Sequence, residues 1–333
     1  MFTHPYLTMG RFLRERFGRQ VFKIGVDAGF SCPHRNANRR SGGCSFCSPE
    51  GSRSPLIGCS QDITRQIGEN ARYWHVKYPD CGLLLYFQAY TSTLAPAAVL
   101  SEIYQGGLAA GDFCGLVVGT RPDCVPDEVI DVLRMTTHDS RSGSAEREVW
   151  VELGLQTAHE SSLLMLDRGH GTAEYADAAR RLAAANIPVI PHLIFGIPGE
   201  GEAERQYTLQ WVLENTPSII GIKIHNLILL PGTGLHERWQ LGQITPWHSR
   251  DHLDAVLSFL PRVPSDLAIM RLTADIPPQQ LTDSEHKALP NELWPNTVFI
   301  GRVQKRMKEL DIFQGLQANI ATTQAVHAVK SQS

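Results

Sequence analysis

Residues 21–47 read VFKIGVDAGFSCPHRNANRRSGGCSFC, a strand-like apolar run followed by a loop that carries Cys32, Cys44 and Cys47. Three thiolates suit a four-iron four-sulfur cluster in which one iron lacks a protein ligand, because four cysteines normally hold such a cubane. An iron left free at the mouth of a barrel is a place where a substrate or cofactor can bind. The aromatic residue Phe46 stands directly before the last cysteine.

Strand-like and helix-like stretches alternate through the first three quarters of the chain. The predicted strands are Val21–Val26, Leu83–Phe87, Leu116–Gly119, Val149–Leu155, Pro188–Phe195 and Ile219–Leu230. The predicted helices are Gln61–Lys77, Ala95–Ala109, Asp127–Arg134, Thr172–Ala185 and Glu202–Glu214. Six strands that alternate with helices predict an α/β fold, a partial (β/α)6 TIM-type barrel whose parallel strands are covered by helices on the outer face.

Polar or glycine-rich residues follow several of these strands. They are Gln88, Tyr90, Thr120–Asp123, Gln156, Gly196–Gly199, His225 and Asn226. In β/α barrels the chemistry lies at the carboxyl ends of the strands. The unusual residues of this sequence stand at those ends, which supports the barrel and predicts where its site lies.

The chain is predicted to divide into four regions. They are a basic N-terminal helix in 1–20, the barrel in 21–240, a small family-specific C-terminal extension in 241–320 and a disordered tail in 321–333. Prolines interrupt the extension, in which Leu267–Leu272 is strand-like and a terminal helix is predicted near Arg302–Leu310.

Composition and charge narrow the class of protein. The chain has 333 residues and a formal net charge of -3, which does not mark a general binder of polyanions, although a local basic patch stays open. It begins without an apolar signal segment, and its most apolar run, Ile219–Leu230, contains Lys223 and His225. We therefore expect a cytoplasmic protein without a membrane segment. Seven cysteines without an export signal favour metal or cluster ligation over disulfides.

A zinc site is the alternative interpretation of the three cysteines. Zinc normally needs four nitrogen or sulfur ligands, and His34 or Cys59 could supply the fourth. No second closely spaced cysteine pair exists in the sequence, and the triad directly follows the first predicted strand. The pattern therefore favours the cluster.

The strand 21–27 and the widely spaced triad resemble the radical S-adenosylmethionine superfamily, in particular its YhcC-like branch, which has a long first gap between the cysteines. The resemblance implies that the free iron binds the amino and carboxylate groups of S-adenosylmethionine. It also implies an electron donor such as flavodoxin or ferredoxin, and a 5′-deoxyadenosyl radical that abstracts a hydrogen from the substrate.

The end of the second strand holds the first group of candidate cofactor contacts. Many superfamily members carry Gly-Gly-Glu there, which contacts the methionyl amine. This sequence has Tyr86-Phe87-Gln88-Ala89-Tyr90-Thr91 instead, so that Gln88, Tyr90 and Thr91 are the candidates. A polar strand end that caps the next helix is the alternative.

Residues 151–157 (VELGLQT) and 166–170 (LDRGH) resemble a segment of oxygen-independent coproporphyrinogen oxidase and of elongator-type enzymes. The resemblance implies that Gln156 meets the ribose hydroxyls and that Arg168 holds the methionyl carboxylate, to which a guanidinium can donate two parallel hydrogen bonds. Glu152 alternates in phase with Gln156 and should face the barrel interior as a further site residue. An inward carboxylate needs a partner, for which Arg121 and Lys223 are candidates. Without the motif, Arg168 would be interpreted as a solvated arginine at a helix end.

Residues 191–200 (PHLIFGIPGE) resemble the superfamily's glycine-containing motif at strand five, where apolar side chains embrace the adenine. The resemblance assigns Phe46, Phe195 and Ile197 to an adenine pocket. A Gly-Pro turn at the end of any buried strand would look partly similar.

Three further runs resemble the catalytic subunit of elongator, which modifies the wobble uridine of transfer RNA. They are 221–226 (GIKIHN), 230–239 (LPGTGLHERW) and 270–277 (MRLTADIP). The resemblance implies a tRNA substrate, with Arg121, Lys223 and His225 facing it. A hydrogen-bonded core histidine is the alternative for His225.

Two other substrate and function classes stay open. One is a radical S-adenosylmethionine enzyme that acts on a small metabolite such as a tetrapyrrole, and the other is a zinc-bound RNA-binding module without catalysis. For an RNA substrate, the basic N-terminal segment could grip phosphates while Phe12 and Phe17 stack a base. The sequence does not predict the oligomeric state.

Overall fold

Seven parallel strands form one sheet in the computed structural model, which describes residues 4–35, 42–47, 62–137, 147–274 and 289–318. The strands are β1 Val21–Val26, β2 Gly82–Phe87, β3 Gly115–Thr120, β4 Glu148–Gln156, β5 Val189–Phe195, β6 Gly221–Asn226 and β7 Ala268–Arg271. They pair in the order of the sequence and curl into a half-barrel. The predicted parallel α/β barrel is confirmed, with one strand more than the six expected.

The additional strand, β7, comes from the segment assigned to the C-terminal extension. It pairs with β6 through Ala268 and Ile269, so that this part of the extension completes the sheet. The sixth predicted strand, Ile219–Leu230, is shorter in the structure and ends at Asn226. Beyond that residue, the backbone N–H of Leu229 donates to the side chain of Asn291 at 2.9 Å and leaves the sheet ladder.

Helices pack around the sheet. They are α1 Met9–Phe17, α2 Ile63–Lys77, α3 Ala97–Ala109, α4 Asp127–Met135, α5 Glu160–Met165, α6 Thr172–Ala184, α7 Glu202–Asn215, α8 Gly234–Gln240, α9 Ser249–Phe259 and α10 Asn296–Glu309. Among the helices in the described ranges, none combines the length and apolarity needed to cross a membrane. The predicted tail 321–333 lies outside the described residues.

Alternate residues of each strand face opposite sides of the sheet, which separates an outer core from the barrel interior. The amino-terminal half of the interior is filled by an apolar layer that includes Leu84, Val117, Trp150 and Ile190. The carboxyl half, in contrast, is lined by polar side chains. The site is therefore built on a dry apolar base.

Helix α1 closes the amino-terminal end of the barrel. Leu13 is fully buried there, and the rings of Phe12 and Phe17 lie 5.9 and 6.1 Å from that of Trp150. Arg16 donates two hydrogen bonds to Glu148, at 2.7 and 2.8 Å. The predicted N-terminal helix laid against the domain is confirmed. Phe12 and Phe17 are half-buried beneath the barrel, at the end opposite the cavity.

The same segment joins the two edges of the open sheet. Helix α1 packs against both β1 and β7, and the N–H of Ile269 donates to the carbonyl of Leu7 at 2.8 Å. The Thr8 hydroxyl caps the helix by accepting from the N–H of Arg11. The first and last strands are therefore connected through the N-terminal segment.

Candidate active site

A cavity of about 170 Å³ lies at the carboxyl ends of β2 to β6. The predicted site residues that line it are Cys32, Cys44, Phe46, Cys47, Gln88, Tyr90, Thr91, Arg121, Glu152, Gln156, Arg168, Lys223 and His225. Residues from the cysteine loop and from five strands thus meet in one space, at the end of the barrel where chemistry was expected.

Backbone hydrogen bonds hold the cysteine loop on the barrel mouth. The N–H of Ser45 donates to the carbonyl of Leu166 at 3.0 Å, and the N–H of Leu235 donates to the carbonyl of Ser45 at 2.9 Å. This places Cys44 between the end of α5 and the start of α8. The first cysteine is fixed separately, because the N–H of Thr91 donates to the carbonyl of Ser31 at 3.1 Å.

Three arginines contact the cysteine sulfurs. Arg168 Nη1 lies 3.4 Å from Cys44 Sγ, Arg121 Nη1 lies 3.9 Å from the same atom, and Arg35 Nη2 lies 3.1 Å from Cys47 Sγ. Burial raises the pKa of the Cys47 thiol, and the neighbouring Arg35 opposes that rise. Guanidinium groups stabilise thiolates, so this wall of the cavity is suited to a negatively charged sulfur centre.

Three cysteine sulfurs are a donor set that a four-iron four-sulfur cluster uses. Within the described part of the chain, no three His, Cys, Asp or Glu side chains converge closely enough to hold one ion. Each cysteine of a cubane binds a different iron, whereas the ligands of zinc must converge on one point. His34, a candidate fourth zinc ligand, instead contacts Arg121 at 3.3 Å and the carbonyl of Asp167 at 3.2 Å. Cys59, the other candidate, lies outside the described residues.

The wall beside the cysteines carries polar atoms without protein partners. Arg168 Nη2 donates to the carbonyl of Gly154 at 3.0 Å. The Nε of Arg168 and the hydroxyl of Thr91 are both buried, and neither makes a hydrogen bond. Buried polar atoms are normally paired, so these two are suited to hydrogen bonds with a ligand. Because Arg168 is only 7 % exposed, the solvated helix-end interpretation is wrong.

Two residues on the same wall have unusual backbones. Tyr90 and Gln156 adopt positive φ angles of 58° and 81°, a conformation that residues other than glycine rarely adopt. Gln156 also lies at an irregularity in the pairing of β4 with β5. Such outliers are enriched at ligand sites, where the strain aims a side chain.

A buried network around Glu152 forms the floor of the cavity. Its carboxylate accepts from Lys23 Nζ and Lys223 Nζ, both at 2.5 Å, from His192 Nε2 at 2.8 Å and from the Tyr86 hydroxyl. The Glu152 side chain has no exposed surface, and those of Lys223 and Lys23 are 5 % and 13 % exposed. Of the two partners predicted for Glu152, Lys223 is confirmed. Arg121 is not, because it forms a forked ion pair with Asp123, with both contacts at 2.9 Å.

The electrostatics of the floor follow from burial and from these contacts. Burial raises the pKa of Glu152, but Lys223 and Lys23 outweigh it and hold that pKa well below its usual value. Burial lowers the pKa of Lys223 to about 7, which Glu152 opposes and Lys23 reinforces. Burial likewise lowers the pKa of His192 to about 4 and that of His225 well below its usual value. At neutral pH the carboxylate is charged and both histidines are neutral.

Two of the predicted site residues lie away from the cavity surface. Phe195 faces the helices and packs edge-on against Phe259, with ring centroids 5.0 Å apart, so its assignment to the cavity is wrong. Ile197 belongs to an apolar cluster beside the cavity, which also contains Ile194 and against which Phe46 packs. Of these three, Ile194 and Phe46 line the cavity itself.

Four residues at the site were not predicted as site residues. They are Lys23, Arg35, Tyr86 and His192. Strand alternation was the available signal for three of them, because each shares a phase with inward neighbours on its own strand. Arg35 gave no such signal, because it lies in the loop between the cysteines.

Comparisons with known proteins agree with this geometry. The model of the Radical SAM superfamily matches residues 32–212, and that of the Radical_SAM C-terminal domain matches residues 219–309. Protein YhcC of Escherichia coli is 36% identical over 264 residues, which cover 79% of this chain and 81% of that protein. A tRNA uridine(34) acetyltransferase of Methanocaldococcus jannaschii is 27% identical over 182 residues, 54% of this chain and 31% of that protein.

A solved structure of Elp3 from the archaeon Methanocaldococcus infernus, with an N-terminal deletion, has a similar fold. The TM-score is 0.66 at 16% identity, and the match covers 88% of this chain and 64% of that chain. The family model that spans over half of the chain and the relative at 36% identity exclude the alternative of a non-catalytic zinc module. The chain is a member of the radical SAM superfamily of enzymes, in its YhcC-like branch.

Proposed function

We propose that this chain binds a four-iron four-sulfur cluster through Cys32, Cys44 and Cys47, and that S-adenosylmethionine binds in the adjoining cavity. The observation that carries the proposal is the meeting of the three cysteines with Arg168 and Gln156 around one space, with guanidinium groups on two of the sulfurs. When bound, the cluster supplies the electron that cleaves S-adenosylmethionine and so starts a radical reaction.

The surrounding residues position the cofactor and protect the reaction. Arg168 is assigned to the methionyl carboxylate, as the family resemblance implies, and its unpaired Nε and the Thr91 hydroxyl are available to polar groups of the ligand. Phe46 and Ile194 give the cavity an apolar surface suited to a purine ring. Arg35 and Arg121 offset negative charge at the cysteines, and the apolar layer under the floor keeps water out.

We further propose that the substrate is a base of transfer RNA, such as a wobble uridine. The support is the 27% identity to a protein named tRNA uridine(34) acetyltransferase, over about half of this chain. We carry over to this chain only the nucleoside on which that protein acts. We do not carry over acetyl transfer, because the similarity covers 31% of that protein. We also propose that the enzyme acts in the cytoplasm and that flavodoxin or ferredoxin is its electron donor.

An anaerobic assay tests the cofactor chemistry. The reconstituted protein, incubated with dithionite and S-adenosylmethionine, is expected to release 5′-deoxyadenosine. Metal and sulfide analysis accompanies the assay. A protein that holds zinc, and neither iron nor sulfide, would contradict the proposal.

Nucleoside analysis tests the substrate. Transfer RNA from a strain without this protein is expected to lack one modified nucleoside, which returns when the native chain is supplied and stays absent with a cysteine variant. Binding of tRNA is measured at low salt, because phosphate contacts weaken steeply as salt rises. Identical nucleoside profiles in both strains, together with no binding, would remove tRNA as the substrate.

Replacing Arg168 by alanine is expected to weaken S-adenosylmethionine binding roughly ten- to a hundredfold, the effect of losing charged hydrogen bonds. The iron content should stay at the native level, because Arg168 is not a ligand. Equilibrium dialysis of the reconstituted protein measures the affinity. Arg180→Ala is the matched control, because the side chain of Arg180 is 68% exposed on α6. Equal affinities in the two variants would exclude Arg168 from the cofactor site.

A further inference from the structure

Below about pH 7, where Lys223 is protonated, the floor of the cavity has more positive than negative charge. Two ammonium groups, those of Lys23 and Lys223, contact the single carboxylate of Glu152. Arg271 stands close enough to lower the pKa of Lys223 further. An excess charge in a buried site is costly unless it is paired.

The other titratable groups of the floor do not supply the missing negative charge. His192 and His225 are neutral at pH 7 because burial lowers the pKa of both. Tyr86 keeps its proton, since burial and the adjacent Glu152 raise the pKa of its hydroxyl well above the usual value. Within the described residues, Glu152 is thus the only anionic group in contact with the two lysines.

Several hydrogen-bond donors of the floor are also unused. Lys223 Nζ has three N–H bonds but two protein acceptors, Glu152 and the Tyr86 hydroxyl. Lys23 Nζ donates to Glu152 alone and otherwise lies 4.8 Å from the centre of the Tyr86 ring. His225, which lines the cavity, has a buried Nε2 without a hydrogen-bond partner. The surplus charge and the unused polar atoms therefore occur at the same place.

We propose that this floor binds the carboxylate or phosphate group of a small molecule that the enzyme uses as a substrate or second reactant. The proposal rests on the proposed function for the reaction that this molecule enters. A monoanion balances the two lysines against Glu152 and accepts from the unused donor of Lys223, which lines the cavity. An RNA backbone phosphate is disfavoured, because the floor lies within the barrel and its side chains are 0 to 21 % exposed.

The floor is distinct from the place proposed for the cofactor carboxylate. Arg168 stands beside Cys44, whereas the lysines contact Glu152 and no cysteine. The anion is therefore assigned to a second molecule, and competition with S-adenosylmethionine tests that assignment.

The proposal includes a pH dependence with a definite sign. Lys223 has a pKa of about 7 in the free site, and it is faced by Glu152, Lys23, Tyr86, His192, His225 and Arg271. A bound anion raises this pKa, so that binding takes up a proton above pH 7. The affinity for the anion is then full below about pH 7 and falls tenfold per pH unit above it.

Thermal unfolding of the reconstituted protein, at constant ionic strength, measures binding without any turnover, because a ligand that binds only the folded state raises the Tm. The probes are acetate, inorganic phosphate and neutral acetamide. Acetate or phosphate is expected to raise the Tm of the native chain, and acetamide is not. The stronger of the two anions tells a carboxylate from a phosphate group.

Lys223→Met and Lys23→Met are each expected to weaken anion binding roughly thirtyfold or more, the effect of removing one partner of a buried charge pair. Lys305→Met is the control, since that side chain is 76 % exposed on α10. If a floor variant does not fold, the pH profile of the native chain still decides. The proposal is overturned by equal affinities in all three variants, by a flat pH profile, or by displacement of the anion by S-adenosylmethionine. Loss of 5′-deoxyadenosine formation with anion binding intact would count against the proposed function alone.

Discussion

Replacing Cys44 by serine is expected to reduce 5′-deoxyadenosine formation roughly a hundredfold or more, since even the loss of a group that only supports a metal ligand costs ten- to a hundredfold. A hydroxyl is a poor ligand for the iron of a cluster, which selects soft thiolates. Cys44 is buried under Arg168 and Arg121, so water cannot readily substitute for its sulfur. Anaerobic turnover together with iron and sulfide content measures the effect.

Cys81→Ser is the matched control for this change. Cys81 is as buried as Cys44, with both 7% exposed, but it lies in the outer core. Its variant should keep native iron content and native activity after correction for the folded fraction. Full cluster content and full activity in Cys44→Ser would show that the cysteine loop does not carry the reaction.

Replacing Glu152 by glutamine is expected to lower the free energy of unfolding by about 3 kcal/mol at neutral pH, because removing one partner of a buried ion pair leaves the other charge uncompensated. Two lysines lose their carboxylate in this variant, and the hydrogen bond from the Tyr86 hydroxyl loses its charged acceptor. Urea unfolding, extrapolated linearly to water, measures the difference.

The difference between native and variant proteins should depend on pH with a definite sign. The folded pKa of Glu152 is lowered, so its stabilising contribution is present above its unfolded pKa and is lost as pH falls through the folded value. Above about pH 7 the difference should shrink, because Lys223 loses the charge that the carboxylate pairs with. A gap that stays constant from pH 6 to pH 9 would contradict this assignment of charges.

Glu69→Gln is the control for the ion-pair effect. Glu69 accepts from Arg65 on the surface of α2 at 2.9 Å, and both side chains are more than half exposed. Exposed pairs of this kind contribute about 0 to 1 kcal/mol. The control should therefore change stability little, at any pH in the same range.

The sheet was predictable because its strands are predominantly apolar and alternate with helix-like stretches. All six predicted strands are present, and the polar residues at their ends meet as expected around one cavity. The pairing of Ala268–Arg271 with β6 was not predictable, because a long segment with two helices separates them. Only tertiary packing brings such distant stretches together.

Side-chain phase explains both a success and an error. Glu152 was placed inward from its alternation with Gln156, and the structure agrees. Applied to β5, the same alternation predicts that His192 and Ile194 both face inward and that Phe195 faces the helices, as the structure shows. The error arose because the motif was assigned through its glycine-containing turn and not through the alternation of its strand.

The N-terminal helix shows the limit of charge patterning. Its arginines and aromatics are equally consistent with an RNA-binding face and with an amphipathic cover for an apolar surface. What decides between them is the ring of Trp150 at the base of the barrel, which is buried because Phe12 and Phe17 pack against it. That surface exists only after the sheet has curled, so the sequence of the helix does not contain the answer.

The bridging of β1 to β7 by the N-terminal segment has a consequence for the site itself. Lys23 stands on β1 and Lys223 on β6, and both reach Glu152 on β4 across the curl of the sheet. The distance between these lysines thus depends on how strongly the sheet curls, and the N-terminal segment, which lies away from the cavity, holds that curl. We expect that shortening the chain at its beginning, or fusing a tag there, loosens the contact of the N-terminal segment with β1 and β7. Catalysis would then change although no residue of the cavity is altered.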